Sequence, residues 1–151
     1  MILLKPKTQF LCDKCNKTIT NPDEGYVQWL SNEYLQYYGF KIVHHKSSSS
    51  LNNKNGCYFY NNNSDLNDIP LEYFIGDSGL SLMLTFLNEK VKLGKERILD
   101  TNEYIEFIRR LQIPYYEQVS HMFDLHESYD ERNTVSPDNL KHLLECVNIA
   151  A

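Results

Sequence analysis

Thr8-Gln9-Phe10-Leu11-Cys12-Asp13-Lys14-Cys15-Asn16-Lys17-Thr18-Ile19-Thr20 is the stretch from which the fold of this 151-residue chain is read. Two cysteines separated by two residues can offer both sulfurs to one tetrahedral ion within a single turn. Polar residues flank the pair, and the turn formers Asn21-Pro22-Asp23-Glu24-Gly25 follow it. A redox C-x-x-C places its second cysteine inside a helix that follows a strand, and that context is missing here.

Working outward, three short runs read as strands: Tyr26–Leu30, Phe40–His45 and Cys57–Tyr60. Lys46 to Gly56 is a polar linker with four consecutive serines, which reads as a mobile loop. The second and third strands are expected to pair antiparallel across it. That pairing would bring His44 or His45 and Cys57 to Cys12 and Cys15, giving a Cys3His set with no open position for water. In strand alternation His44 shares a face with Phe40 and Ile42, and His45 with Lys41 and Val43, so both histidines stand as candidate ligands. The competing reading makes Cys57 a small buried hydrophobe and the histidines surface residues. Three short strands bury little apolar surface. A structural Zn2+ would supply the missing folding free energy.

The pattern of Cys12, Cys15, one of His44 and His45, and Cys57 resembles the zinc-ribbon or treble-clef group of small zinc-stabilised β-domains, over residues 8–60. It departs from that group because its second ligand pair is not a tight knuckle. The resemblance implies zinc-stabilised folding and roles in macromolecular recognition, with no particular activity.

After residue 63 the pattern turns helical. Ser64 or Asp65 can cap a helix from Leu66 to Phe74, broken at Gly76. Asp77-Ser78 can cap a second, apolar on most sides and so expected at the centre of the core, with Gly94 as its stop. Asp100 or Thr101 starts a third, with Tyr104, Phe107, Ile108 and Leu111 at helical spacing. Pro114 falls in the first turn of a helix running from Tyr115 toward His126, and Ser136-Pro137 opens the last. The fold class is therefore α+β: a zinc-stabilised β-rich module (1–63) packed on a C-terminal bundle of short helices (64–151), together one compact unit.

Hydrophobic content of 42% and charged content of 23% are ordinary for a globular chain and argue against disorder. A formal charge of -5 argues against a nucleic-acid partner or an acidic membrane. Met1–Leu4 is too short an apolar run for a signal peptide, and no segment reaches the length of a membrane span. The expected location is the cytoplasm, where cysteines favour metal over disulfides.

No H-E-x-x-H, G-x-S-x-G, P-loop or dinucleotide fingerprint occurs. His121 and His126, five apart, point in different directions on a helix. Asp124, Glu127, Asp130 and Glu131 read as a solvated acidic stretch rather than a cation site. Arg109-Arg110 read as helix-end charges set against the dipole, in preference to a phosphate site. His142 and Cys146, four apart, can meet on one helical face, but lack a third catalytic group. Tyr34, Tyr37 and Tyr38 are the residues most suited to a partner surface. The leading function is a non-enzymatic protein-binding or regulatory protein with structural zinc. The alternatives are a small hydrolase or nuclease-like enzyme using His, Tyr and acidic residues, and a zinc-dependent transcriptional regulator.

Overall fold

Phe10-Leu11 (β1) and Thr18-Ile19 (β2) pair antiparallel, with Phe10 opposite Ile19, and the six residues of the cysteine turn, Cys12 to Lys17, cross between them. This is a computed structural model, which describes residues 3–61, 64–122 and 136–150. Asn16 closes the turn at φ 62°, a left-handed conformation that asparagine tolerates better than most residues. Its N–H reaches the Cys12 carbonyl at 2.9 Å.

A second sheet holds Gly25–Ser31 (β3), Tyr37–His44 (β4) and Leu66–Pro70 (β5), in the order β4-β3-β5 with both pairings antiparallel. Three expectations are corrected here. The strand carrying His44 pairs with β3 across the short Asn32–Gln36 turn, not with Cys57–Tyr60. Cys57–Tyr60, read as a strand, is irregular: its Phe59 and Tyr60 amides are taken by a side chain of β3, as described below, and its Tyr58 amide by the Asn55 carbonyl. Leu66–Pro70, read as the start of a helix, is the third strand, with Val27 opposite Ile69. Its Leu and Ile lie three apart, which mimics a helical stripe, and Pro70 ends the ladder at its edge.

Four helices follow among the described residues: Gly76–Asn88 (α1), Thr101–Gln112 (α2), Tyr116–Met122 (α3) and Pro137–Ala150 (α4). The chain is thus mixed α and β, strand-rich first and helical after. Asp100 caps α2 by accepting from the Glu103 N–H at 3.1 Å, as expected. Gly79 in α1 is required by packing, since a Cβ there would lie 2.0 Å from the Phe74 backbone. Helix α1 buries Met83 and Phe86 but leaves Leu84 outside, so it covers the core with one face rather than occupying its centre.

One core joins both parts of the chain. Trp29 on β3 stacks on Phe40 of β4 at 5.5 Å and meets Phe74 and Phe86, while Phe40 stacks in turn on Phe107 of α2. A smaller cluster of Tyr116, Val119, Leu140 and Leu144 holds α3 to α4. Among the described residues, no helix is long and apolar enough to cross a membrane.

Candidate metal centre

Cys12 and Cys15 come from the turn between β1 and β2, His44 from the end of β4, and Cys57 from the irregular segment after the serine-rich loop. Their donor atoms all lie within 4.8 Å of one another. A zinc tetrahedron with bonds of about 2.0–2.3 Å has edges of roughly 3.3–3.8 Å. The cluster needs only a modest contraction to meet that, and Cys15 Sγ already stands 3.4 Å from His44 Nδ1.

The imidazole is oriented for ligation. Its Nε2 lies 3.1 Å from the Thr18 carbonyl of β2. A carbonyl can only accept, so Nε2 carries the proton and the bare Nδ1 faces the sulfurs. His45 is placed elsewhere: its Nδ1 accepts from the Ser47 N–H at 3.1 Å, capping the turn Lys46–Ser48, and its ring stacks on Tyr26. The structure therefore brings together Cys12, Cys15, His44 and Cys57, and leaves His45 out.

Donors surround the sulfurs. The His44 N–H points at Cys12 Sγ at 3.4 Å, and the Ser49 hydroxyl donates to Cys57 Sγ at 2.9 Å. Burial pushes the Cys12 thiol up to about 11. Burial also raises Cys15, but hydrogen bonds from Ser50, the Lys17 backbone and the neighbouring thiols outweigh it and leave that thiol below its ordinary value. Three soft sulfurs and one imidazole, largely buried, make a donor set suited to Zn2+. All four cysteines are unbridged.

Two supporting residues were not foreseen. Gln28, fully buried in the middle of β3, accepts from the Phe59 N–H at 2.8 Å and the Tyr60 N–H at 3.3 Å, and donates to the Tyr60 carbonyl. It thereby fixes the segment that carries Cys57. The one available signal was a polar residue inside an otherwise apolar strand. Arg110, at the end of α2, reaches back to the cysteine turn. Its guanidinium donates to Asp13 at 2.9 Å, to the Leu11 carbonyl at 3.2 Å, and to both carboxylate oxygens of Glu117 on α3. Asp13 also accepts from the Ile42 N–H at 2.7 Å. The flanking carboxylates hold the guanidinium charged against the burial that opposes it. Arg110 is thus a buried tie between the knuckle and the helices, beyond a charge at a helix end.

The remaining candidates stay apart from this cluster. His121 contacts the Glu117 carbonyl from one turn away. His142 Nε2 and Cys146 Sγ do meet, at 3.6 Å, on an exposed face of α4. Tyr37 packs against Trp29 and Phe86, Tyr34 lies under Lys95, and Tyr38 is half-buried. His126, Asp124, Glu127, Asp130 and Glu131 fall outside the described residues. No family model matches the chain, and no curated protein or solved structure matches it either.

Proposed function

We propose that this chain is a non-enzymatic binding protein, clasped by a structural Zn2+ on Cys12, Cys15, His44 and Cys57, which presents a rigid surface to a protein partner. The observation that carries the reading is the closed donor set: four protein ligands converge, and the second nitrogen of His44 is committed to Thr18. A site of that kind leaves no position for a reacting water, which favours a structural role over hydrolysis. The 1–63 and 64–151 parts then unfold together, because they share a core and the Arg110 tie. Support for the partner surface comes from the β5–α1 edge. An apolar groove there is lined by Ile69, Tyr73, Ser78 and Leu82, with Tyr73 59% exposed.

Cobalt substitution tests the metal reading. Co2+ in a tetrahedral three-sulfur, one-nitrogen site gives intense visible bands and sulfur-to-metal charge transfer, and His45→Ala should leave that spectrum intact. An octahedral, weakly absorbing cobalt spectrum would refute the closed site. The partner reading is tested by affinity purification from the native host with mass spectrometry. A stoichiometric protein partner lost on Tyr73→Asp supports it, and recovery of none counts against it.

A further inference from the structure

The overall charge conceals an asymmetry. Residues 1–61 carry seven lysines against four carboxylates, while the rest of the chain carries eight basic residues against sixteen acidic ones. The carboxylates near the cysteine turn and β4 are committed within the fold: Asp13 to Arg110 and the Ile42 N–H, and Glu103 of α2 to the Gly39 and Phe40 N–H groups. The turn therefore shows Lys14 and Lys17 to solvent. Beside it Phe59 leaves 39% of its surface exposed, with Lys41 Nζ 4.8 Å and Lys14 Nζ 5.8 Å from the ring centre.

The ring is held in place. The Phe59 N–H is bonded to Gln28, and its ring meets Tyr60 edge-on at 5.1 Å. The Tyr60 hydroxyl is anchored on the Gly39 carbonyl at 2.7 Å. A fixed aromatic face thus lies within reach of two long, flexible cations. Exposed cation–π contacts are weak, so either ammonium can swing to a better anion at little cost.

A single-stranded nucleic acid supplies both complements within one nucleotide, a flat base for the ring and phosphates for the ammoniums. An acidic peptide offers carboxylates but no stacking face. An anionic membrane calls for several apolar side chains together, where this face has one exposed ring, Phe59. We propose that the Lys14, Lys41 and Phe59 face binds single-stranded nucleic acid without sequence preference, with Lys17 as a further phosphate contact. The face includes β4, at the opposite edge of the sheet from the β5 groove. It stands whether or not the partner reading of that groove holds. The competing role for these lysines is to offset the charge of three thiolates on a divalent ion, and that role would make them necessary for metal retention.

The test is fluorescence anisotropy of a fluorescein-labelled thymidine 20-mer with the full chain, titrated at about 50 and 200 mM salt, with zinc content measured on every variant. Three phosphate contacts predict that the logarithm of affinity falls with the logarithm of salt at a slope of about −2. Lys14→Glu/Lys41→Glu should weaken binding at least tenfold. Phe59→Leu, which keeps an apolar side chain but no ring, should weaken it by roughly tenfold with the slope unchanged. Lys92→Glu, on the loop after α1, should bind as wild type. Binding that follows this pattern in a chain that holds no zinc would support the face and refute the metal reading alone. The proposal is overturned by no saturable binding at low salt, or by variants that bind as tightly as wild type. Loss of zinc together with loss of binding in the lysine variant overturns it too, as does equal, Phe59-independent binding to phosphatidylserine vesicles.

Discussion

Replacing Arg110 by methionine keeps the length of the side chain and removes its charge, leaving two carboxylates without their cation. The side chains of Arg110, Asp13 and Glu117 are 11%, 18% and 6% exposed, so the cluster is largely shielded from solvent. Removing one partner of a buried ion pair costs about 3–5 kcal/mol. Asp13 retains the Ile42 N–H. This places the expected loss at the low end, about 3 kcal/mol. In a chain of this size each kcal/mol shifts the melting temperature by about 2–4 °C, so a drop of roughly 6–12 °C is expected. Trp29 is the lone tryptophan and is buried, so its fluorescence reports the transition directly. In a double-mutant cycle, Arg110→Met with Asp13→Asn should lose less than the sum of the single changes, with a coupling of about 1–3 kcal/mol. A melting temperature within 2 °C of wild type, or strict additivity, would refute the buried tie.

Three further outcomes follow from the same geometry. Gln28→Leu leaves the Phe59 and Tyr60 amides without their acceptor; it should cost about 1–3 kcal/mol and speed zinc release to a chromophoric chelator, and an unchanged release rate contradicts the anchoring role. His44→Ala should abolish stoichiometric metal, whereas His45→Ala removes a cap and the stacking on Tyr26 and should cost about 1–2 kcal/mol with metal retained; the reverse order would exchange their roles. Because burial raises Cys12 to about 11, its thiol carries a proton at neutral pH that the metal must displace. Zinc affinity measured by competition should therefore climb as pH rises from about 6 to 8, and a flat profile contradicts the thiolate ligands.

Much of this molecule could be read locally. The turn Cys12–Cys15, the strands around Trp29 and Ile42, the Asp100 cap and the Ser136-Pro137 start all depend on near neighbours in sequence. What the sequence hid depended on distant ones. Leu66–Pro70 is a strand because β3 offers it an edge, and nothing within five residues says so. Cys57–Tyr60 has strand composition, yet Gln28, some thirty residues earlier, takes its Phe59 and Tyr60 amides and keeps it irregular. His44 and His45 were indistinguishable until the Thr18 carbonyl fixed one ring and Ser47 the other. Arg110 looked like a helix-end charge because Asp13 lies 97 residues away. The overall charge of -5 hides the lysine excess of residues 1–61, because the acidic residues concentrate in the rest of the chain.

A metal on Cys12, Cys15, His44 and Cys57 is expected to hold the first part of the chain together. This is tested most directly by elemental analysis of the full chain purified without added metal, beside Cys57→Ser, with Trp29 fluorescence followed during chelation. One zinc per wild-type chain is expected, with none retained in the variant and loss of the native Trp29 signal as zinc is withdrawn. A wild-type chain that folds without metal, or a Cys57→Ser chain that keeps its zinc, would contradict it.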